Sequence, residues 1–475
     1  MRRPITRRSA LTALAAAGGL GLTGAFSGLA NAATAPGGSS NGISNAIPTG
    51  ISNYAVPPPP AKQAAAQIRD EFLHAWNGYK NFAWGNDQVN PIAGTSNEFF
   101  VDGHPIGLSM IEALDTLYVM ELDDEVAASV AWIDKNVDFD IDGDFHVFEA
   151  IIRVVGGLIA GYLAVKDKKL LSLAVDITDR LMPAFASPTG LPYQYVNLHT
   201  GAVSGNTPPL AEIGTNILEF GVLSQLTGNP KYWNAAKKAY QVTMAKKSSL
   251  NLLGTFINVE TGQWTDSEDQ APNPPVDSFY EYLWGGWAMF RDRDCLNWFT
   301  ELNTALNKYS LETYNGNAWF KQVDFQTGAL VGREQSELAA FWAEILGYAG
   351  ELNLGHAYYQ SWTKVLNKYP VLPEGFNYAT FTADSGSGNQ FRPEYVNASF
   401  DLYFQTHDPY YAATAWQYFL GMKANARVAN GYTIINDVTT TPMKLGDLFP
   451  AYGFAENFKY LYLIFANSPR FNSRD

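Results

Sequence analysis

Cysteine is almost absent from this chain, because Cys295 is the single one among 475 residues. No disulfide can therefore form within the chain, whatever its compartment. Zinc sites that need several thiolates are excluded too, and the six histidines show no ligand-like clustering. The composition thus excludes a disulfide scaffold and zinc chemistry.

Basic residues are also in short supply. Lys and Arg number 32 against 46 Asp and Glu, which gives a formal net charge of −14. Such an acidic chain repels phosphate backbones and anionic lipids, so we expect no nucleic-acid partner. The same charge balance also suits any exported protein that must stay soluble.

Uninterrupted apolar runs of membrane-spanning length are missing beyond the N-terminal segment. The best stretch, 154–165, is flanked by Arg153 and Lys166 and is too short to span a bilayer. We therefore expect no membrane insertion, and a monomer.

The N-terminus reads as a targeting segment. Residues 1–32 carry the pair Arg7-Arg8 ahead of a weakly apolar stretch and end in Ala30-Asn31-Ala32, which is typical of a cleaved twin-arginine signal of the bacterial type. Residues 33–60 are rich in Ser, Gly, Asn and Pro and are predicted to be a linker. We expect an exported protein, periplasmic or extracellular.

Helical periodicity fills the rest of the chain, so residues 61–475 are predicted to form one all-α domain. Hydrophobic residues make up 47% of the chain and aromatic residues 14%, enough for a large core. Apolar spacing and end signals predict fourteen helices, which group into seven consecutive hairpins. They fall near 61–82, 107–121, 124–136, 146–166, 168–183, 209–227, 230–246, 278–292, 295–312, 334–353, 355–368, 391–406, 409–427 and 448–466.

A short repeated element lies between some of these hairpins. It reads VNLHTGAV at 196–203, INVETGQW at 257–264 and VDFQTGAL at 323–330, with starts 61 and 66 residues apart. Each copy predicts two short β-strands joined by a Thr-Gly turn. A period of this size is typical of stacked helix pairs, which close into a ring or remain an open solenoid. We favour the ring.

Acidic residues recur with the same period, near the start of alternate predicted helices. They are Glu149, Glu212, Asp277, Glu337, Glu394 and Glu456, separated by 63, 65, 60, 57 and 62 residues. Any one of them could simply stabilise a helix N-terminus. In a ring of hairpins, however, the inner helices are parallel, so we expect these carboxylates to converge at one mouth.

Two of the acids stand in apolar or aromatic surroundings. Glu149 lies in HVFEAIIRVVGG, where the apolar setting favours the protonated form that a general acid needs and Arg153, one turn later, favours the charged form. The same pair could be a purely structural ion pair. Asp277 opens DSFYEYLWGGW, and Glu394 and Glu374 lie in FRPEYVN and VLPEGFNY. Several acids without a catalytic His or Cys indicate carboxylate chemistry, of which glycoside hydrolysis is the commonest case.

Several motifs resemble the signatures of glycoside hydrolase family 47, the inverting α-1,2-mannosidases. The match covers about residues 65–466, in the family's order. The motifs are HAWNGYKNFAWGNDQVNP at 74–91, GLSMIEALDTLYVMEL at 107–122, VFEAIIRVVGGLIAGY at 147–162, PVDSFYEYL at 275–283, LPEGF at 372–376, FRPE at 391–394 and FAENFKYLYLIF at 454–465.

The resemblance implies an (α/α)7 barrel that removes terminal α-1,2-linked mannose from oligosaccharides with inversion. It implies Glu149 as general acid, acting through a water, and Glu394 as general base, with Asp277 and Glu374 as further active-site acids. Arg153 and Arg392 match arginines that contact the substrate. Tyr452 stands where a Phe packs under the sugar, and Glu456 matches an acid near the sugar and the metal.

The chain departs from the family pattern at several positions. Asn397 stands where the family usually has Glu, and Glu337 stands where many members have His. The family holds Ca2+ through a Thr in a Thr-Glu pair after the last helix, and no such pair occurs before Asp475. Either the domain lacks its extreme C-terminus, which we expect, or the metal site is altered.

Two other functions stay open on these residues. One is a helical-toroid glycosidase of different linkage specificity, which would keep two carboxylates but not this series of motifs. The other is a non-catalytic mannose-binding relative, which the departure at Asn397 and the missing Thr leave open.

Overall fold

The computed structural model describes residues 56–471. The predicted signal 1–32 and most of the predicted linker 33–60 lie outside this range. The helices, in chain order, are α1 Ala61–Phe82, α2 Leu108–Val119, α3 Asp123–Asn136, α4 Val147–Val165, α5 Lys168–Leu181, α6 Leu210–Gly214, α7 Ile217–Thr227, α8 Lys231–Met244, α9 Asp277–Phe290, α10 Arg293–Tyr309, α11 Trp342–Tyr348, α12 Leu352–Lys368, α13 Glu394–Thr406, α14 Pro409–Asn425, α15 Tyr452–Ala455 and α16 Asn457–Phe465.

Short 3-10 turns at Met182–Phe185 and Glu337–Phe341 follow α5 and precede α11, respectively. The strands are β1 Gln88–Asn90, β2 Thr95–Asn97, β3 Asp144–His146, β4 Tyr195–Asn197, β5 Val203–Ser204, β6 Glu268–Asp269, β7 Leu311–Tyr314, β8 Asn317–Phe320, β9 Gln322–Asp324, β10 Leu330–Gly332, β11 Glu334–Ser336, β12 Gly375–Asn377, β13 Thr382–Gly386, β14 Arg427–Val428, β15 Gly431–Tyr432, β16 Ile435–Asp437 and β17 Lys444–Leu445.

The helices form two concentric layers, and the inner layer is a closed ring. Each inner element packs on the next, and the last pair packs back onto the first. In order, the inner elements are α2, α4, α6 with α7, α9, the Glu337 turn with α11, α13, and α15 with α16. This closure confirms the (α/α)7 barrel and excludes the open solenoid.

Burial explains which helices are inner and which are outer. Leu108–Val119 buries eleven of its twelve residues, as a helix covered on every side must. The outer helix Lys168–Leu181 buries one stripe, Leu170, Leu173, Ala174, Ile177, Thr178 and Leu181, at the spacing of one helix face. The hydropathy pattern of the sequence therefore sorts the helices between the two layers.

Side-chain caps and a close glycine contact fix individual helices. Asp167, Asp292 and Asp408 each cap an outer helix by accepting a hydrogen bond from a backbone N–H in its first turn. Gly157 lets α4 approach α2, because a Cβ there would lie 2.7 Å from the carbonyl oxygen of Ile111.

The fourteen predicted helical segments are all present, with three late starts. Residues 334–336 are strand β11, because they pair with β12, and the helical segment begins at Glu337. The segment predicted from 391 begins at Glu394, and the one predicted from 448 begins at Tyr452.

The strands form small antiparallel sheets between the helices. Three sheets have three strands, in the orders β3-β4-β5, β10-β9-β6 and β11-β12-β13, and the other strands form two-stranded hairpins. The first sheet pairs His146 with Tyr195, and the third pairs Ser336 with Gly375. These registers place β-strand residues directly before the inner helices α4 and α11.

The predicted Thr-Gly hairpins form paired strands at 196–203 and 323–330, whereas the copy at 257–264 has only an isolated bridge between Ile257 and Trp264. Two further turns share their construction. At Asn197, Asn258, Asp324, Asn377 and Asp437 the side-chain oxygen accepts a hydrogen bond from the backbone N–H two residues on. The last two turns lack the Thr-Gly pair, which is why the sequence did not reveal them.

One helix among the described residues, Val147–Val165, is long and apolar enough to cross a membrane, by length and composition. Most of this helix is buried inside the protein, where it forms inner helix α4. The stretch includes Glu149 and Arg153 and is therefore not an uninterrupted apolar run. Its hydropathy is explained by its place in the core.

Candidate active site

A cavity of about 310 Å³ opens where the inner helices α4, α6 and α9 begin. Three of the predicted acids, Glu149, Glu212 and Asp277, lie in its wall together with aromatic and proline side chains. The rest of the lining is His146, Phe148, Gln194, Tyr195, Pro209, Ala211, Phe256, Pro274, Pro275 and Leu338.

A larger groove of about 520 Å³ lies elsewhere, between α3 and α5. It is lined mainly by surface residues such as Lys135, Asp138 and Lys169, and it contains none of the predicted acids. Size alone favours this groove, but the chemistry does not. The smaller cavity, with buried carboxylates in its wall, is the candidate active site.

Glu149 is the third residue of α4 and is held by Arg153. The Nε atom of Arg153 donates to Glu149 at 2.5 Å, and its Nη1 atom donates to Glu112 Oε1 at 2.9 Å. Residues Ala150–Val155 form a π-helical turn, a rare distortion that is frequent at functional sites. Two carboxylates therefore share one guanidinium inside the barrel.

Glu112 is a buried acid that the sequence analysis did not select. Burial raises the pKa of Glu112 to about 7, although the charge and hydrogen bond of Arg153 oppose the shift. Burial would lower the pKa of Arg153, but Glu149 and Glu112 outweigh it and raise that pKa above its ordinary value. Arg153 is therefore a permanent cation. The available signal for Glu112 was a lone acid in the otherwise apolar stretch SMIEAL.

Tyr452 lies between the two predicted substrate arginines. Its ring centroid is 5.1 Å from the guanidinium carbon of Arg153 and 5.8 Å from that of Arg392. The phenol donates a hydrogen bond to the carbonyl oxygen of Gln390. Burial raises the pKa of Tyr452 well above its ordinary value, so the phenol stays neutral. The ring thus joins the Glu149 side of the barrel mouth to the Glu394 side.

Glu374 and Arg392 form an ion pair just before α13, in which one N–H of Arg392 is shared between the two carboxylate oxygens. The Nε atom of Arg392 lies 3.1 and 3.0 Å from the two carboxylate oxygens of Glu374, and the Gln390 N–H donates to Glu374 at 2.8 Å. Burial would lower the pKa of Arg392, but Tyr452, Glu374 and Glu394 raise it above its ordinary value. Glu394 itself is the first residue of α13 and is only 1% exposed.

The remaining predicted acids lie at inner-helix starts as well. Asp277 begins α9, where its Oδ1 accepts the Ser278 N–H at 2.9 Å. Glu456 lies at the break between α15 and α16 and is 1% exposed. The structure therefore places Glu149 and Asp277 in the cavity wall and joins Arg153, Tyr452, Arg392 and Glu374 beside it. The cavity wall does not include Glu374, Glu394 or Glu456.

His146, Gln194 and Tyr195 are cavity residues that the sequence analysis missed. The Nε2 atom of His146 lies 3.2 Å from Glu212 Oε1, and Gln194 donates to Glu212 Oε2 at 3.0 Å. The rings of His146 and Tyr195 are 4.9 Å apart. Burial lowers the pKa of His146, but the hydrogen bond and charge of Glu212 outweigh burial and raise it above 6.5. The strand register that unites these residues leaves no signal in the sequence.

Comparison with known proteins decides the family. The profile described as Glycosyl hydrolase family 47 matches residues 71–475. The chain belongs to glycosyl hydrolase family 47. It is 34% identical over 430 residues to an α-mannosidase I of Arabidopsis thaliana, covering 88% of this chain and 67% of that protein. It is 30% identical over 434 residues to mannosyl-oligosaccharide 1,2-α-mannosidase IB of Mus musculus, covering 85% of this chain and 67% of that protein.

A solved structure supports the fold of this family 47 chain. The α-1,2-mannosidase from Trichoderma reesei superposes with a TM-score of 0.78 at 24% identity, covering 86% of this chain and 94% of that one. The ring of seven helical hairpins is therefore the architecture of a known mannosidase.

Two departures from the family 47 pattern have local explanations. Asn397, expected to be Glu, donates its Nδ2 hydrogen to Glu344 Oε2. Glu337, expected to be His, accepts a hydrogen bond from Asn389 Nδ2 at 3.0 Å through Oε2. Asn397 thus joins two neighbouring inner helices, and Glu337 contacts the segment that precedes α13.

Family membership is consistent with a calcium requirement. Within residues 56–471, no three His, Cys, Asp or Glu side chains are grouped so as to hold a metal ion. A Ca2+ site normally takes six to eight oxygen ligands. The carboxylates of the described residues do not supply such a set by themselves, and calcium has no step in the mechanism below.

Proposed function

We propose that this chain hydrolyses terminal α-1,2-linked mannose in mannose-containing oligosaccharides, with inversion at the anomeric carbon. The observation that carries the proposal is the arrangement of buried carboxylates at the ring mouth. Glu149 and Asp277 line the cavity, and Glu394 begins the inner helix reached through Tyr452 and Arg392. Family relatives named as 1,2-α-mannosidases support the same linkage.

Inversion needs an acid and a base on opposite sides of the sugar. We assign Glu394 as the base that takes a proton from the attacking water while the water oxygen bonds to the anomeric carbon. Glu149, directly or through a water, gives a proton to the leaving oxygen. One proton is taken up and one is given, so the enzyme needs only proton exchange with solvent to return to its starting state.

Arg153 fixes the position of Glu149 through the hydrogen bond from its Nε atom, and its Nη1 atom donates a second hydrogen bond to Glu112. One guanidinium therefore orients two buried carboxylates. Asp277 lies in the same cavity wall and can share the proton with Glu149 through water.

The other residues hold the sugar. Tyr452, between Arg153 and Arg392, offers a flat neutral ring against which a pyranose can pack, and the arginines offer donors to its hydroxyls. Glu374 fixes Arg392 through the Nε–H that its two carboxylate oxygens share. Glu456, buried beside α16, adds negative charge to the same region.

The test is the incubation of the purified protein with α-1,2-mannobiose, followed by proton NMR within the first minutes. We expect β-mannose to appear first and to mutarotate afterwards. The α-1,3 and α-1,6 disaccharides serve as matched substrates and should remain uncleaved. Cleavage of those instead indicates a toroid glycosidase of other specificity. Binding without release indicates a non-catalytic relative, and α-mannose as first product contradicts inversion.

We also infer that calcium supports this reaction, on family membership alone. Because the described residues contain no group of three His, Cys, Asp or Glu side chains placed to hold a metal ion, we expect the 475-residue chain to bind Ca2+ weakly and to be slow. Calorimetric titration with CaCl2, and activity before and after EDTA, test this inference. Full activity that EDTA does not change contradicts it.

Export is a further proposal, supported by Arg7-Arg8 and Ala30-Asn31-Ala32. Residues 1–32 fused to a folded reporter should direct it out of the cytoplasm. Replacing both arginines by lysine should retain the reporter inside. Export of both fusions contradicts a twin-arginine route.

A further inference from the structure

Glu344 is a buried carboxylate that the proposed mechanism does not use. It lies on α11, is 2% exposed and accepts a hydrogen bond from Asn397 Nδ2 of the neighbouring inner helix α13. The same two helices are joined again where Gln405 donates to the Glu344 carbonyl oxygen at 3.3 Å. A carboxyl group buried this far from water needs polar partners, and Asn397 supplies one.

Asn397 lies one turn after Glu394 on the same helix. Both side chains are 1% exposed, and the Asn397 N–H donates to the Pro393 carbonyl, so the first turn is regular. Residues three apart on a helix have Cβ atoms about 5–6 Å apart. The side chains of Glu394 and Asn397 therefore start from the same side of α13.

The amide of Asn397 has a donor end and an acceptor end, and Glu344 selects between its two orientations. An ionised carboxylate only accepts hydrogen bonds, so it binds Nδ2 and leaves Oδ1 at the other end. This Oδ1 accepts no hydrogen bond from the part of the chain that the structure describes. With the amide reversed, Nδ2 could donate to the base and hold its charge, which weakens a base.

We propose that Glu344 is a positioning residue for the base Glu394. Through the Asn397 amide it keeps an N–H donor away from the base, and its own negative charge lies one side chain further off. Both effects make Glu394 a better proton acceptor. This inference rests on the proposed function, in which Glu394 is the base.

Other ionisable groups lie on the elements packed against α13. Arg392, Tyr418 on α14 and Tyr452 interact electrostatically with Glu394. The others on these elements are Glu374, Glu337, His356 on α12, and Glu456 and Lys459 next to and within α16. The variants below leave all of them unchanged. Their contributions to the titration of Glu394 therefore cancel when the variants are compared with the wild type.

The experiment compares pH profiles of kcat on α-1,2-mannobiose. In Glu344→Gln the acidic limb should move down by about 0.5–1 pH unit, because a like charge is lost and the amide is free to turn. The plateau of kcat should fall about 3–10-fold because the base is weaker. In Asn397→Asp the limb should move up by about one unit or more, since a carboxylate now stands beside the base. The acidic limb of the double variant Glu344→Gln with Asn397→Asp should lie between the limbs of Asn397→Asp and the wild type.

The matched control is Asp401→Asn. Asp401 is also a buried acid between α11 and α13, where it accepts a hydrogen bond from Tyr348, but it lies about two turns from Glu394. The Asp401→Asn substitution should leave the acidic limb of the pH profile at the wild-type position, even if it lowers the melting temperature. An unchanged limb and plateau in folded Glu344→Gln, or the same limb shift in Asp401→Asn, overturns the proposal.

A second readout does not require turnover. Infrared difference spectra between each protein and its Glu394→Gln partner follow the carboxyl band of Glu394 during titration. The midpoint should move down in Glu344→Gln and up in Asn397→Asp. A wild type that releases no mannose refutes the proposed function, while an unmoved midpoint refutes the role of Glu344.

Discussion

Lys459→Met removes a buried cation from the contact between the last and the first helix of the inner ring. Lys459 on α16 donates to Asp115 on α2 at 2.8 Å, and the two side chains are 0% and 1% exposed. The pair joins the last inner helix to the first. Its loss leaves the Asp115 carboxylate buried without its cation.

The expected cost follows from this burial. Breaking a buried ion pair by removing one partner costs about 3–5 kcal/mol. Unfolding entropy is about 2.1 cal/mol/K per residue, so about 400 ordered residues give roughly 0.8 kcal/mol/K. The melting temperature should therefore fall by about 4–6 °C, measured by circular dichroism or calorimetry.

The matched control uses the same substitution at an exposed pair. Lys231 lies 2.6 Å from Asp179, with side chains 42% and 45% exposed. Surface pairs contribute about 0–1 kcal/mol, so Lys231→Met should lower the melting temperature by about 1 °C or less. Lys459→Met combined with Asp115→Leu should recover much of the loss, since no unpaired charge remains. Equal effects of the two lysine variants would refute the reasoning.

Three further predictions concern the site and its supports. Glu394→Gln should lower kcat by about 10²–10⁴-fold while calorimetry still detects mannose binding, because the substitution removes the base and keeps the shape of the side chain. Undiminished turnover would show that another residue is the base, and Glu374 is the next candidate. His146→Gln should lower the melting temperature relative to the wild type below about pH 6.5, because the folded wild type binds the imidazole proton more tightly than the unfolded chain does. This difference in melting temperature should vanish as pH rises through the raised pKa of His146. A difference that grows with pH would contradict the prediction. Asp87→Ala should lower the free energy of unfolding in urea by about 3–5 kcal/mol, since the Phe99, Ile106 and Leu108 N–H groups lose their acceptor. Asp87→Asn keeps one acceptor oxygen and should lower it by less. Equal losses in the two variants would contradict this explanation.

Much of the fold could be predicted because helices follow local rules. The three late helix starts show where the local rules fail. Residues 334–336 fit a helical pattern, but their backbone groups pair with β12, a strand some forty residues away. Apolar spacing cannot detect such a partner.

The site was predicted in part for the same reason. Glu149, Asp277 and Glu394 were found because each occupies the start of an inner helix, and the period of the hairpins repeats that position. Glu112 was missed because it lies mid-helix in α2, outside the periodic series.

Fourteen helices, their sorting into two layers and the acids at the inner-helix starts could be predicted from local sequence, because they depend on residues within a few turns of one another. The contacts of Arg153 with Glu112, of Tyr452 with two arginines and of Asn397 with Glu344 follow from tertiary packing alone. Those contacts join residues from 41 to 299 positions apart. They exist only once the ring has closed, when neighbouring inner helices pack and each buried polar group must find its partner across the joint.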